Sequence, residues 1–215
     1  MYKDKAILFD LDGVLVNTMD VHKKAFQDVL CDLGVEVTKQ LIAGRSTRQI
    51  IKEVVEDFGL EKNAIDELVN KKQTLARELI YEEGARILAP GLDILVPALA
   101  KEYKLVICTS GSPESIELFY KFSSLREYFF NQLSQVDVAE CKPSPEVYLK
   151  AVDNLKLEKK NCYAVEDSYA GCLSASRAGV KLVIMKTDIS PDPLDFSGSY
   201  QIDSLFELLN LHLLN

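Results

Sequence analysis

Four short apolar runs rich in β-branched and aromatic residues punctuate this chain: KAILFD (5–10), KLVICTS (104–110), NCYAVED (161–167) and VKLVIM (180–185). Segments of helical period lie between them, among them SPESIELFYKF, SPEVYLKAVDNL and SYAGCLSASRAG. Strands joined through helices need crossover connections and therefore run parallel, so the alternation predicts an α/β fold with a Rossmann-like parallel-sheet core. Ser112 before Pro113 and Ser144 before Pro145 each read as an N-cap followed by proline at the first helical position. Gly179 stands where the third of these helices should stop.

The block from Val16 to Leu88 breaks the alternation, because it holds helical patterns only. Met19, Phe26, Val29, Leu30 and Leu33 line one face of its first segment, and further helix-like segments fall at 47–58 and 64–83. The expected organisation is a core of residues 1–15 and 88–215, interrupted by an inserted all-helical domain of residues 16–87.

Composition narrows the function classes. A formal net charge of −8, with lysines and arginines scattered among carboxylates, disfavours a nucleic-acid or anionic-membrane partner. Charges or prolines interrupt every apolar stretch short of a membrane span, and the amino terminus has no signal-peptide pattern. Five cysteines, at 31, 108, 141, 162 and 172, form no C-x-x-C pair and suit packing in a reducing compartment. The expectation is a cytoplasmic protein, monomeric by default, with His212 on its surface.

Ligands of open α/β sheets bind beyond the carboxyl ends of the strands. Asp10 and Asp12, Thr109 with Ser110 and Gly111, Lys142, and Glu166 with Asp167 are all expected to converge there. Asp10 and Asp12, two apart, are expected to share a strand face, and Asp167 adds a third carboxylate. Such surplus negative charge calls for a cation, and a few oxygen ligands completed by substrate phosphate is the pattern Mg²⁺ favours. Thr109 and the turn after it offer a hydroxyl and backbone N–H groups to an anion, and Lys142 offers a point charge.

DLDGVL, VICTSGS, CKPSPEVYLKA and EDSYAGCLSASRAG, in this order, resemble the four motifs of the haloacid dehalogenase superfamily, in the subfamily with a helical cap inserted after the first motif. The resemblance covers residues 6–186. It implies that Asp10 is the nucleophile that becomes an aspartyl-phosphate, and that Asp12 is the general acid and then base. It also implies that Asp10, the Asp12 backbone carbonyl and Asp167 hold Mg²⁺ with Glu166 nearby, and that Thr109, Ser110, Gly111 and Lys142 hold the phosphoryl oxygens. Their separate tasks require the two aspartates to differ in pKa.

In the insert, LIAGRSTRQII (41–51) resembles the family's specificity loop, which makes Arg45 and Arg48 candidates for the distal end of the substrate. Lys72 matches a cap-helix lysine of sugar-phosphate members, and His22 a histidine near the cap hinge. Asp12 argues against dehalogenases, which lack the second aspartate because halide leaves without a proton. The expected function is a phosphatase acting on a small phosphorylated metabolite, of the sugar phosphate or phosphoglycolate class. A β-phosphoglucomutase-like mutase is the alternative, with Thr47 standing where the mutase loop has arginine. A catalytically silent binding relative is the third reading.

Overall fold

The computed structural model describes residues 3–213, with side chains through Leu211, so the surface expectation for His212 lies outside the described side chains. Six parallel strands form one sheet: β1 (Ala6–Phe9), β2 (Lys104–Cys108), β3 (Phe129–Leu133), β4 (Cys162–Glu166), β5 (Lys181–Met185) and β6 (Tyr200–Ile202). Their order is β3-β2-β1-β4-β5-β6, which puts β1 at the centre with the order reversing on either side of it. This is the α/β, Rossmann-like architecture, and the reversal opens a crevice at the carboxyl end of β1.

Among the described residues, eight α-helices accompany the strands: α1 (Met19–Leu30), α2 (Lys39–Ile42), α3 (Thr47–Asp57), α4 (Ala64–Glu83), α5 (Leu92–Leu99), α6 (Pro113–Ser123), α7 (Glu146–Leu155) and α8 (Tyr169–Ala178). The period of two along the strands decides which helices cover which face. Ile7, Phe9, Leu105, Ile107 and Val165 point to one side and meet α5 and α6. Ala6, Leu8, Val106, Cys108 and Ala164 point to the other and meet α7 and α8. Both faces are buried, which is why these strands read as continuous apolar runs.

The four strand expectations hold within a residue or two, but β3 and β6 carry no matching sequence signal. In FFNQL the apolar run breaks at Asn131 and Gln132, and Phe130 is exposed, because β3 is an edge strand that pairs with β2 alone. The other edge, β6, is three residues long and begins at the last residue of the turn-rich stretch 187–200. Ser112 is the N-cap of α6 with Pro113 next. Helix α7, however, starts one residue late, with Pro145 at the capping position and the Ser144 hydroxyl accepting from the Glu146 N–H at 3.4 Å. Gly179 ends α8 with a φ of +77°, a left-handed conformation that glycine adopts without cost.

Between β1 and α5 lie helices and turns, with isolated bridges from Val16 to Asp12 and Leu88 and no further strand. Met19, Phe26, Val29 and Leu30 of α1 pack with Ile50, Ile51, Val54 and Val55 of α3 in a core of their own, and Leu33 joins it from a 3₁₀ turn that follows α1. Two adjacent segments tie this helical block to the sheet: the Asn17 N–H donates to the Ile87 carbonyl at 2.7 Å, and the Ala89 N–H to the Leu15 carbonyl at 3.0 Å. All five cysteines are free; Cys108, Cys162 and Cys172 are buried and Cys141 is partly buried, but Cys31 is exposed, with its thiol 3.6 Å from Asp32 Oδ1. Among the described residues, no helix is long and apolar enough to cross a membrane.

Candidate active site

Asp10 leaves the end of β1 with its N–H still in the sheet, donating to the Val165 carbonyl at 3.0 Å. Its carboxylate meets Lys142, whose ammonium is fully enclosed and spends its three N–H groups on three acceptors. These are Asp10 Oδ1 at 2.7 Å, Glu166 Oε1 at 2.6 Å and the Cys108 carbonyl at 2.8 Å. Burial alone would lower the Lys142 pKa, but Asp10 and Glu166 outweigh it and hold the group protonated. Lys142 sits in the loop that follows the unforeseen strand β3, so β3 is the element that delivers the chain to this position.

Asp10, Glu166 and Asp167 each bring a carboxylate oxygen within 4.8 Å of the others, and all three side chains are buried. Glu166 Oε2 and Asp167 Oδ2 have no hydrogen-bond partner. Two orphaned, buried carboxylate oxygens cost free energy unless a cation meets them. The backbone has made room for both: a Cβ on Gly13, at φ +87°, would lie 1.9 Å from Asp167 Oδ2, and one on Gly171 1.9 Å from Glu166 Oε2. The donor set, all oxygen and anionic, fits a hard divalent cation such as Mg²⁺. Burial, then the Glu166 charge, push the Asp10 carboxyl up to about 7, and burial and Asp10 raise Asp167 well above the ordinary range.

Asp12 belongs to a different set of contacts. Strand β1 ends at Phe9, so the expected same-face alternation does not reach it, and its carboxylate turns away from the cluster. Asp12 Oδ1 accepts from the Thr18 hydroxyl and lies 3.2 Å from His22 Nε2. Lys72 Nζ lies 3.0 Å from His22 Nδ1 and 3.4 Å from Thr47 Oγ1. A protonated lysine can only donate, so Nδ1 accepts and the imidazole proton sits on Nε2, facing Asp12. Burial would raise the Asp12 carboxyl, but His22, Thr18 and Lys72 together hold it down at about 2. Burial, with the Lys72 charge, lowers His22, and burial brings Lys72 down to about 8. The pKa values of the two aspartates do separate, with Asp12 as the ionised partner in the resting site.

A cavity of about 60 Å³ lies between the sheet end and the helical block; Asp10 reaches it from the first set and Asp12, His22 and Lys72 from the second, whereas Lys142, Glu166 and Asp167 do not line it. That volume is space for roughly four to six waters, or an anion of phosphate size. Thr109, Ser110 and Gly111 line it, as expected, after β2. Thr109 Oγ1 accepts from the Gly111 N–H at 2.9 Å, and the Ser110 hydroxyl donates to the Gly44 carbonyl at 3.0 Å, so Ser110 ties the sheet to the helical block. His22, Lys72 and Arg45 also line the cavity, together with apolar Met19, Phe26 and Ile42. Arg45, just before α3, is paired with Glu53 within that helix. Arg48 does not reach the cavity; it is exposed, pairs with Asp66 and borders an outer groove instead.

Two participants escaped the sequence reading. Thr18 stands at the N-cap position of α1, but its hydroxyl serves Asp12 and makes no cap hydrogen bond. Tyr148 reads as a core position of α7, yet its hydroxyl donates to Glu166 Oε1. Only the polar tip of an otherwise apolar residue could have signalled this.

The sequence model of the haloacid dehalogenase-like hydrolases matches residues 7–185. Protein CbbY of Rhodobacter capsulatus is 30% identical over 206 residues, spanning 91% of this chain and 90% of that one. Hexitol phosphatase B of Escherichia coli K12 is 27% identical over 219 residues, spanning 94% and 93%. The crystal structure of CbbY from Rhodobacter sphaeroides in complex with phosphate superposes with a TM-score of 0.79 at 26% identity, covering 95% of this chain and 96% of the other. With its motifs gathered at one sheet end and matched over most of its length, the chain belongs to the haloacid dehalogenase-like hydrolase family and is a phosphohydrolase.

Proposed function

We propose that the protein is a Mg²⁺-dependent phosphatase of a small phosphorylated metabolite, of the sugar phosphate or phosphoglycolate class, acting through an aspartyl-phosphate. The observation that carries this reading is that two aspartates two residues apart meet one cavity with different partners. Asp10 lines it as the outermost member of a buried cluster with Lys142, Glu166 and Asp167 that holds two unpartnered carboxylate oxygens, and Asp12, His22 and Lys72 line it as a second chain of contacts. Relatives named as phosphatases, including one for hexitol phosphates, favour the same substrate class.

In this reading Asp10 attacks phosphorus while the bond to the leaving oxygen breaks and that oxygen takes a proton from Asp12. Asp12 rests ionised, so it must acquire this proton in the substrate complex, where the phosphoryl charge beside it raises its pKa. Water then attacks the aspartyl-phosphate, Asp12 accepts its proton, and phosphate leaves with Asp10 restored. Thr109 and the N–H groups of Ser110 and Gly111, the latter released from Thr109 Oγ1, hold the phosphoryl oxygens, and Lys142, whose N–H groups are taken, favours the anion by its charge alone. Asp10, Asp167, the Asp12 carbonyl and Glu166 would hold Mg²⁺, which supplies positive charge against the substrate and nucleophile anions.

Residues 16–87 serve as a cap over the core of residues 1–15 and 88–215, restricting the site to substrates small enough to be enclosed. Three bridges from block to core support this: Ser110 to Gly44 at 3.0 Å, Gln49 to the Lys142 carbonyl at 3.4 Å, and Lys39 to Asp188 at 3.0 Å. The enzyme is read as cytoplasmic and monomeric, with no nucleic-acid or membrane partner.

Hydrolysis of p-nitrophenyl phosphate tests the chemistry. It is expected to require Mg²⁺, to stop on chelation and to vanish in Asp10→Asn; equal rates in wild type and Asp10→Asn would refute the reading. Incubation with β-glucose 1-phosphate and a trace of glucose 1,6-bisphosphate separates the mutase alternative, which His22 and Lys72 beside Asp12 keep in view. Glucose 6-phosphate formed without stoichiometric phosphate would decide for the mutase.

A further inference from the structure

Tyr148 is fully buried in α7, six residues beyond Lys142, and packs in the core between the sheet and α8. A phenylalanine would fill the same space. The hydroxyl, however, reaches Glu166 Oε1, the oxygen that also takes the Lys142 ammonium at 2.6 Å. The Lys142 ammonium stands 5.4 Å from the centre of the Tyr148 ring, so the tyrosine touches both members of that ion pair.

The donor count gives this contact its consequence. Lys142 has three N–H groups, and Asp10, Glu166 and the Cys108 carbonyl consume them. Glu166 Oε1 therefore receives two donors from different directions and Oε2 receives none. Two donors on one oxygen fix the rotation of the carboxylate. With the ammonium alone, the carboxylate could turn to offer both oxygens to Lys142, removing Oε2 from the cluster and drawing the ammonium off Asp10.

We propose that Tyr148 is a positioning residue of the active site: its hydroxyl locks Glu166 so that Oε2 stays directed at the cation position and Lys142 stays on Asp10. Gly171 provides the clearance that lets the carboxylate sit there, since a Cβ would strike Oε2, Cδ and Oε1 alike. The inference rests on the proposed function for the identity of the cation. Outer hydrogen-bond partners of ligating carboxylates typically contribute a factor of about 10–100 in metal affinity or activity.

The test is isothermal titration calorimetry of Mg²⁺ into wild type, Tyr148→Phe and Val147→Ala, the last a packing control on the same helix. Tyr148→Phe is expected to weaken Mg²⁺ binding about ten-fold, whereas Val147→Ala lowers the melting temperature and leaves Mg²⁺ affinity unchanged. A loss of less than about three-fold in Tyr148→Phe, or an equal loss in Val147→Ala, overturns the positioning role, as does a wild type that binds no Mg²⁺. Binding is read without turnover, so the two readings fail separately. Normal Mg²⁺-dependent hydrolysis with unchanged affinity in Tyr148→Phe rejects only the positioning role. The expected affinity loss in a protein that hydrolyses no phosphate ester rejects only the phosphatase.

Discussion

The Lys142 ammonium stands 2.7 Å from Asp10 Oδ1, although 132 residues separate the two in the chain. Both side chains are shut off from solvent, and a second carboxylate, Glu166, shares the same ammonium at 2.6 Å. Removing one partner of such a group leaves charge buried without compensation, which costs far more than the intact pair contributes. Lys142→Met is therefore expected to lose about 3–5 kcal/mol of stability, read by urea denaturation in the presence of chelator, along with all hydrolysis. A loss below about 1 kcal/mol would mean that Asp10 and Glu166 find other compensation, in contrast to known buried pairs.

Gly13 offers a second handle on the cluster. Its φ of +87° disfavours any side chain, and a Cβ would collide with Asp167. Gly13→Ala should cost about 1–2 kcal/mol from backbone strain and also displace the Asp167 carboxylate. The expected signature is a thermal shift in which Mg²⁺ no longer raises the melting temperature, as it should in wild type through binding to the native state alone. A Gly13→Ala variant with an undiminished Mg²⁺ shift would show that Asp167 is not held where this backbone puts it.

Lys72 supplies the pH dependence. Its ammonium faces His22 Nδ1, Thr47 Oγ1 and the Phe26 ring, with Asp12 beyond the imidazole, and burial lowers its pKa from 10.5 to about 8. Between about pH 8 and pH 10.5 the unfolded chain thus binds the proton that the native chain has released, so this residue's contribution makes stability rise with pH across that window. Below pH 8 both states are protonated and the native state carries a constant penalty of about 3 kcal/mol. Lys72→Met should accordingly be more stable than wild type at pH 7, with the difference shrinking as pH rises past 8. Parallel denaturation curves for the two proteins at every pH would contradict this assignment.

The two arginines of the specificity-loop segment should separate kinetically. Arg45 lines the cavity while Arg48 is exposed on the outer groove. With the best of a panel of phosphorylated metabolites, Arg45→Ala is expected to lower kcat/KM by about ten-fold or more, as for the loss of a charged hydrogen bond. Arg48→Ala should stay within about two-fold, because its exposed pair with Asp66 contributes little. The reverse order would place the substrate's distal end in the outer groove.

Much of this arrangement was legible beforehand. The apolar runs at 6–9, 104–108, 162–166 and 181–185 are strands because both sheet faces are covered, and burial on both faces leaves an unmistakable record in composition. The edge strands β3 and β6 left no such record. Asn131, Gln132 and exposed Phe130 are compatible with a strand that pairs on one side only, and nothing local distinguishes them from loop. Helix α7 began one residue later than the Ser144–Pro145 pair suggested, a difference settled by backbone geometry and not by residue preference.

The motifs by themselves determined the α/β class, the helical block between β1 and α5, and the set of polar residues that gather beyond the strand ends, because each is written in local periodicity or in residue chemistry. Only the tertiary structure decided how those residues divide. Asp10 joins Lys142, Glu166 and Asp167, whereas Asp12, two residues on, turns to Thr18, His22 and Lys72. The chain leaves β1 after Phe9, so the alternation that governs side-chain direction in a strand no longer applies to Asp12. Which partner each carboxylate meets is set by crossovers that return from residues 72, 142, 148 and 166, and sequence spacing carries no record of those distances.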